Sequence, residues 1–288
     1  MLVRYPAYRR YSAARIAVND AMMALLIGAR LGEHTLANTA ASAEAMLPDL
    51  FGRIEGIARL NRTVGDAAQL LADAEEHLVY MAIPYALSIH GSFIAASARM
   101  LRDTGHDEPG RVGSIDWQPD LSHLSLELAH ENVEERCRLL LDPTLLRLFH
   151  LSRRIRNRII HFSGDVGPRL LSEYRQLPKP ARDSWEQLAN RPLTETVVGQ
   201  RFALREGELI AVLATTRHLA QEVSSLLAHT IERQAWADIA VRDYRQSNPQ
   251  KFGERDRRVR RVKGFADRFY RPLNLTLEEI ADGCAREK

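Results

Sequence analysis

The sequence predicts an all-α protein, a helical bundle, and three observations carry that expectation. Apolar residues recur at helical spacing through most of the 288 residues. Gly, Pro and short polar capping residues punctuate the chain at helix-length intervals. Only 197–206 reads as a brief extended segment, and no repeat or low-complexity tract interrupts the pattern. Hydrophobic content of 45% and charged content of 27% are ordinary for a globular protein, and the length allows one large or two small domains. Cys137 and Cys284 are far apart and in no metal-like spacing, which fits a reducing cytosol rather than a disulfide framework. No run of about 18 apolar residues is read. The basic start has no apolar core leading to a cleavage site. A cytoplasmic protein without a membrane span is therefore expected.

The first helix is expected over 12–31, capped by Ser12 and closed at Gly32. The second is expected over 39–61, with Pro48 marking a break. Residues 66–104 read as one long apolar helix kinked at Pro84, because a mid-helix Pro removes a hydrogen bond. A Gly/Asp/Pro loop at 105–120 leads to a helix over 121–141, and another helix spans 144–162. Shorter pieces are expected at 168–176 and 182–189, then a long helix over 208–245. Residues 246–256 read as a polar linker, and Leu277–Ala285 as a closing helix. The segments divide as 1–76, an N-terminal helical region; 77–245, the main bundle; and 246–288, a basic C-terminal extension.

The chemistry concentrates in Asp142–Gly164, DPTLLRLFHLSRRIRNRIIHFSG. Asp142 is a good N-cap, Pro143 suits the first helical position, and Ser163-Gly164 supplies a stop. Leu145, Leu148, Phe149, Ile155, Ile159 and Phe162 share one face. Arg156 falls in the middle of it, where a core helix would carry Leu or Ala. A charge there must be paired, or must line a cleft or subunit contact. Asn157 and His161 follow on the adjacent face, one turn apart. The bland alternative is that cations simply collect at a helix C-terminus, where the macrodipole favours them. That accounts for Arg154 and Arg158 but not for Arg156.

R-N-R-I-I-H at 156–161, ending a helix in an all-helical chain, resembles the R-x4–6-H motif of the HEPN superfamily in its R-N-x-x-x-H form. The resemblance covers roughly residues 77–235. It implies a helical-bundle endoribonuclease of the toxin or anti-phage type. Arg156 and His161 would be catalytic, Asn157 a supporting polar residue, and the partner a second copy completing a composite cleft. Some members carry a Tyr two residues after the His that a partner enzyme modifies; here Ser163 stands there. An antitoxin or sensor protein is a further partner of the kind such proteins have.

Other chemistries find less support. Glu127 and His130 have the E-x-x-H spacing of di-iron bundles, but no second copy exists, so they read as a surface pair on an amphipathic helix. Glu134 stands where a zincin needs its second His. The other histidines show no ligand clustering, and no phosphate loop or nucleophile elbow is present. No metal and no cofactor are expected. Residues 251–271 hold nine Lys/Arg against three acidic residues, a local excess of +6 in a chain of net charge +3. There Arg257, Arg258, Arg260, Arg261 and Lys263, joined by Arg153 of the motif helix, are the candidate RNA contacts. Phe252, Phe265, Phe269 and Tyr270 are either base-stacking platforms or packing residues of a solvated helix.

In the expected mechanism the RNA 2′-OH is the nucleophile, and His161 has the acid/base role of moving protons. Arg156 forks onto the phosphate, and Asn157 orients His161 or the ribose. The competing readings are a non-catalytic nucleotide-binding or assembly module and a small-molecule- or metal-binding bundle.

Overall fold

The structure is a computed structural model that describes residues 2–106, 128–192, 196–249 and 255–287. It is all-α. Twelve α-helices are present among the described residues: α1 Pro6–Ala37, α2 Leu47–Phe51, α3 Val64–Ala72, α4 Ala74–Asp103, α5 Ala129–Cys137, α6 Pro143–Phe162, α7 Pro168–Arg175, α8 Lys179–Ala189, α9 Glu206–Thr230, α10 Arg233–Ser247, α11 Arg255–Phe269 and α12 Leu277–Arg286. The expected loop at 105–120 and the start of the helix expected from 121 lie largely outside the described residues. What is described there is α5, which stops at Cys137 because Arg138 takes a left-handed backbone, φ 53°.

Several boundaries differ from expectation for local reasons. α1 begins at Pro6, an N1-compatible residue, and runs through Gly32. A Cβ at Gly32 would lie 3.1 Å from Leu71 Cδ1, so that glycine serves close helix packing rather than termination. No long helix forms over 39–61. Pro48 lies in the first turn of the five-residue α2, and Gly56 at φ 86° turns the chain into a 3-10 turn, Ile57–Arg59. Thr63 then caps α3, its hydroxyl accepting from Asp66 N at 3.1 Å. α3 and α4 divide at Asp73, and Pro84 lies inside α4. The helix expected over 208–245 is two helices, α9 and α10, separated at Glu232 in an extended conformation. The segment 197–206 forms a single antiparallel bridge, Asp165 with Arg201, and no strand.

The expectation of no membrane-length apolar run is also corrected. α1 and α4 are each long and apolar enough to cross a membrane by length and composition alone, a test that core helices of soluble proteins also pass.

The chain forms two compact units that cut across the expected segments 1–76, 77–245 and 246–288. The first comprises Met1–Arg15, Leu87–Arg153 and Ala214–Lys288. Its core is aromatic: Tyr5 lies 5.8 Å from Trp236 and 6.3 Å from Phe93 between ring centroids, and all three are buried. Buried Asp243 accepts from both Arg9 amino groups at 2.8 and 2.7 Å and from the Tyr270 hydroxyl at 2.7 Å. That pairing satisfies a charge which would otherwise be costly to bury. α11 and α12 pack on α10 within this unit. A capping box, Thr276 with Glu279, starts α12.

The second unit comprises Ile16–Ala86 and Arg154–Leu213. Trp185, Phe202, Leu204 and Val166 are among its fully buried side chains. Buried Glu208 accepts from Arg205 N at 2.7 Å, which ties it to the first turn of its own helix. A smaller apolar cluster forms separately around Leu36, Leu47, Val64 and Ala67.

Candidate functional site

The motif helix α6 forms where the sequence places it. Asp142 Oδ1 accepts from Thr144 N at 2.6 Å and Leu145 N at 3.2 Å, satisfying donors that a helix start leaves unpaired. Leu148, Phe149, Leu151, Ser152 and Ile155 are buried. Toward the C-terminus the helix surfaces: Ile160 is 47% and Phe162 53% exposed, so Phe162 is not the core residue its spacing suggested.

The end of α6 is closed by two left-handed residues, Ser163 at φ 53° and Gly164 at φ 88°. Gly164 N reaches back six residues to Arg158 O at 2.9 Å, one residue further than the 6→1 bond of a Schellman ending. Only glycine fits at 164, since a Cβ would come within 2.3 Å of the Tyr80 ring. Tyr80 is fixed in turn by donating to Phe202 O at 2.6 Å, and Arg201 lies over its ring at 4.1 Å. Phe202 N donates to Gly164 O at 3.0 Å and Val166 N to Gln200 O at 2.8 Å, which staples the segment after the motif to 199–202.

Arg156 is half-buried. Its Nη1 donates to Asn157 Oδ1 at 3.0 Å, while its Nε is buried with no hydrogen-bond partner. No carboxylate pairs with it among the described residues. His161 is exposed, and among the described residues its one ring neighbour is Phe162, centroids 6.5 Å apart. The structure therefore joins Arg156 to Asn157 and leaves His161 apart from both. Helical geometry agrees: five residues turn about 140° around the axis, so Arg156 and His161 of one chain address different directions.

The cations flanking Arg156 have partners of their own. Arg154 is paired with Glu173. Arg158 donates to Asp165 O and stacks on Phe162, guanidinium 3.9 Å from the ring centroid. Gly167 leaves room for that guanidinium, because a Cβ there would sit 3.1 Å from it. Arg153 is half-buried in the other unit.

Of the basic residues on α11, Arg257, Arg260 and Arg261 are exposed, and Arg258 and Lys263 are half-buried, Lys263 paired with Asp267. The aromatic residues take the packing alternative. Phe265 lies against Tyr244 at 5.5 Å and Phe269 at 4.8 Å between centroids, Tyr270 is buried, and Arg9 covers Phe269 at 4.6 Å. Phe252 lies outside the described residues.

Sequence reasoning missed one pair entirely. His130 is not a surface residue: it is buried, and its Nε2 is 2.9 Å from Nε2 of buried His90. Glu127, its expected partner, lies outside the described residues. One imidazole must donate and the other accept, so the two hold opposite tautomers, and both Nδ1 atoms are buried without a hydrogen-bond partner. Tyr11, Phe93 and Phe149 surround the pair. Burial pushes His90 down to about 3 and His130 well below the usual imidazole range, His90 and His150 adding repulsion to the latter. Among the described residues no group of three His, Cys, Asp or Glu is placed to hold a metal ion. The one sequence signal was His90 inside the apolar run of α4.

Comparison of the chain with models of protein families, with curated proteins and with solved structures gave no match.

Proposed function

We propose that the protein is a metal-independent endoribonuclease of the HEPN type, acting in the cytoplasm as a toxin or anti-phage effector. The observation that carries this reading is the state of Arg156. It is a half-buried guanidinium, held by Asn157 and free of any carboxylate among the described residues, at the end of a helix that also presents an exposed imidazole. Arg154 and Arg158 beside it have structural partners; Arg156 has the arrangement of a cation kept for an anion.

RNA brings its own nucleophile, so the site needs proton transfer and charge stabilisation. His161 takes the 2′-OH proton or gives one to the departing 5′-oxygen. Arg156 forks onto the phosphate oxygens as negative charge builds, with Asn157 holding its orientation. A single chain offers one such imidazole, directed away from its own Arg156. A second copy related by a two-fold axis supplies the other His161 and Arg156, and the exposed Ile160 and Phe162 give that contact apolar area. The products are a 2′,3′-cyclic phosphate and a 5′-OH. Arg153 and the α11 cations, with Arg257, Arg260 and Arg261 outermost, serve as phosphate contacts, and an antitoxin or sensor protein governs the site.

The test is incubation of wild type and His161→Ala with total RNA in EDTA, with mapping of the product ends. Cleavage by wild type alone, leaving cyclic phosphates, is the expected result. Equal cleavage by both proteins would remove His161 from the mechanism. RNA retention without cleavage would move the protein to the non-catalytic HEPN-like class.

A further inference from the structure

The second unit contains a cavity that the nuclease reading does not use. Residues 47–62 form a loop whose ends are pinned together: Leu47 N donates to Arg62 O at 2.9 Å and Val64 N to Ala45 O at 2.9 Å. With the C-terminal turns of α1 and one face of α3, this loop lines an open cavity of about 880 Å³. That lies within the roughly 300–1,000 Å³ of small-molecule sites. Its walls are leucine, isoleucine, phenylalanine and alanine, and only Thr35, Arg59, Asn61 and Arg62 bring polar side chains to it.

Two features identify the chemistry of an occupant. The first is unspent apolar surface. Ile54 (55% exposed), Leu60 (53%) and Leu70 (53%) line the cavity, yet each leaves half its surface to water. Covering such surface is favourable in proportion to its area. The second is charge. Arg59 and Arg62 are exposed at the lining, and neither guanidinium has an acidic partner among the described residues. Apolar walls with two free cations at the edge complement a molecule with one long apolar part and one anionic end.

We propose that this cavity binds a single-chain amphipathic carboxylate of the fatty-acid class, the chain among Leu36, Phe51 and Leu71 and the carboxylate on Arg59 and Arg62. The site is independent of Arg156 and His161 and stands whether or not the chain cleaves RNA.

The test titrates a fluorescent long-chain polyene fatty acid, below its micelle concentration, into the full-length protein. The matching long-chain alcohol and vesicles of mixed anionic and zwitterionic phospholipid form parallel arms. The variants are Thr35→Trp, which puts an indole into the cavity from an exposed helix position, and the double reversal Arg59→Glu/Arg62→Glu at exposed sites. Wild type should bind one acid per chain and the alcohol about fivefold more weakly, the scale of an exposed ion pair. Thr35→Trp should abolish both, and the charge reversal should weaken the acid alone. Should Thr35→Trp fail to fold, the acid-to-alcohol ratio in the charge reversal decides by itself. Lack of saturable binding, equal affinity for acid and alcohol, or partition only onto vesicles would each overturn the proposal, the last in favour of a membrane surface.

Discussion

His161 and the His90–His130 pair place the same side chain in opposite surroundings, and the contrast separates chemistry from architecture. The pair is sealed among Tyr11, Phe93 and Phe149, where desolvation drives both imidazoles to their neutral forms. Such groups stabilise a fold by packing and by one mutual hydrogen bond, and they exchange no protons near neutrality. His161 is open to water at the end of α6, one residue from an exposed phenylalanine. The acid/base role proposed for His161 requires that access, because a group that picks up and releases a proton in each turnover must reach water. Burial, rather than residue type, tells the two roles apart.

The contrast can be broken most directly by His161→Ala. RNA cleavage should fall by about 10²–10⁴-fold, the usual share of a general acid or base, with an unchanged melting temperature. A melting shift of several degrees would mean that His161 is structural after all. The next effect should be the reverse. His90→Ala leaves a void and strands His130 without its one hydrogen bond, at a cost of about 2–4 kcal/mol in denaturant unfolding. His90→Leu with His130→Leu removes both polar partners together and should cost less than the single change. A double variant less stable than His90→Ala would show that the imidazole pair itself holds the core.

A third comparison uses pH. Above about 6.5 His90 is neutral folded and unfolded, so its full packing contribution is present. As pH falls below 6.5 the unfolded chain binds protons that folded His90 refuses until about 3, so stability is lost progressively across that window. The slope due to His90 should approach about 1.4 kcal/mol per pH unit, read from urea midpoints between pH 6.5 and 4, and the double Leu variant should flatten it. The smallest effect should come from Arg156→Lys, which keeps the charge but loses the planar fork. Cleavage should drop about tenfold, with the product ends unchanged. Full activity in that variant would reduce Arg156 to a general positive field.

The motif helix was legible almost to the residue because chemistry brackets it at both ends. Asp142 and Pro143 suit a helix start, and Ser163-Gly164 is a pair that accepts left-handed backbone. The separation of α9 from α10 was not legible. Neither Gly nor Pro stands at 231–232, and the apolar stripe runs through the turn, with Ile231 and Trp236 buried on either side. Region 39–61 failed oppositely: its apolar spacing suited a helix, but Pro48, Gly52 and Gly56 made a loop of it. The His90–His130 contact joins residues 40 apart, and periodicity reports a residue's own face but not the neighbour it meets. The same limit hid the Arg156–Asn157 bond: adjacent residues point about 100° apart on a helix, and only the length of the arginine lets it turn back.

The stapled end of α6 bears on how the protein comes apart. The last turn of a helix ordinarily frays, exchanging its amide protons long before the domain unfolds. Here Gly164 is wedged against Tyr80, and the chain beyond it is tied to 199–202. The turn carrying His161 should therefore exchange with its whole unit, in a single cooperative event, so that on warming this helix end is lost with that unit instead of melting ahead of it.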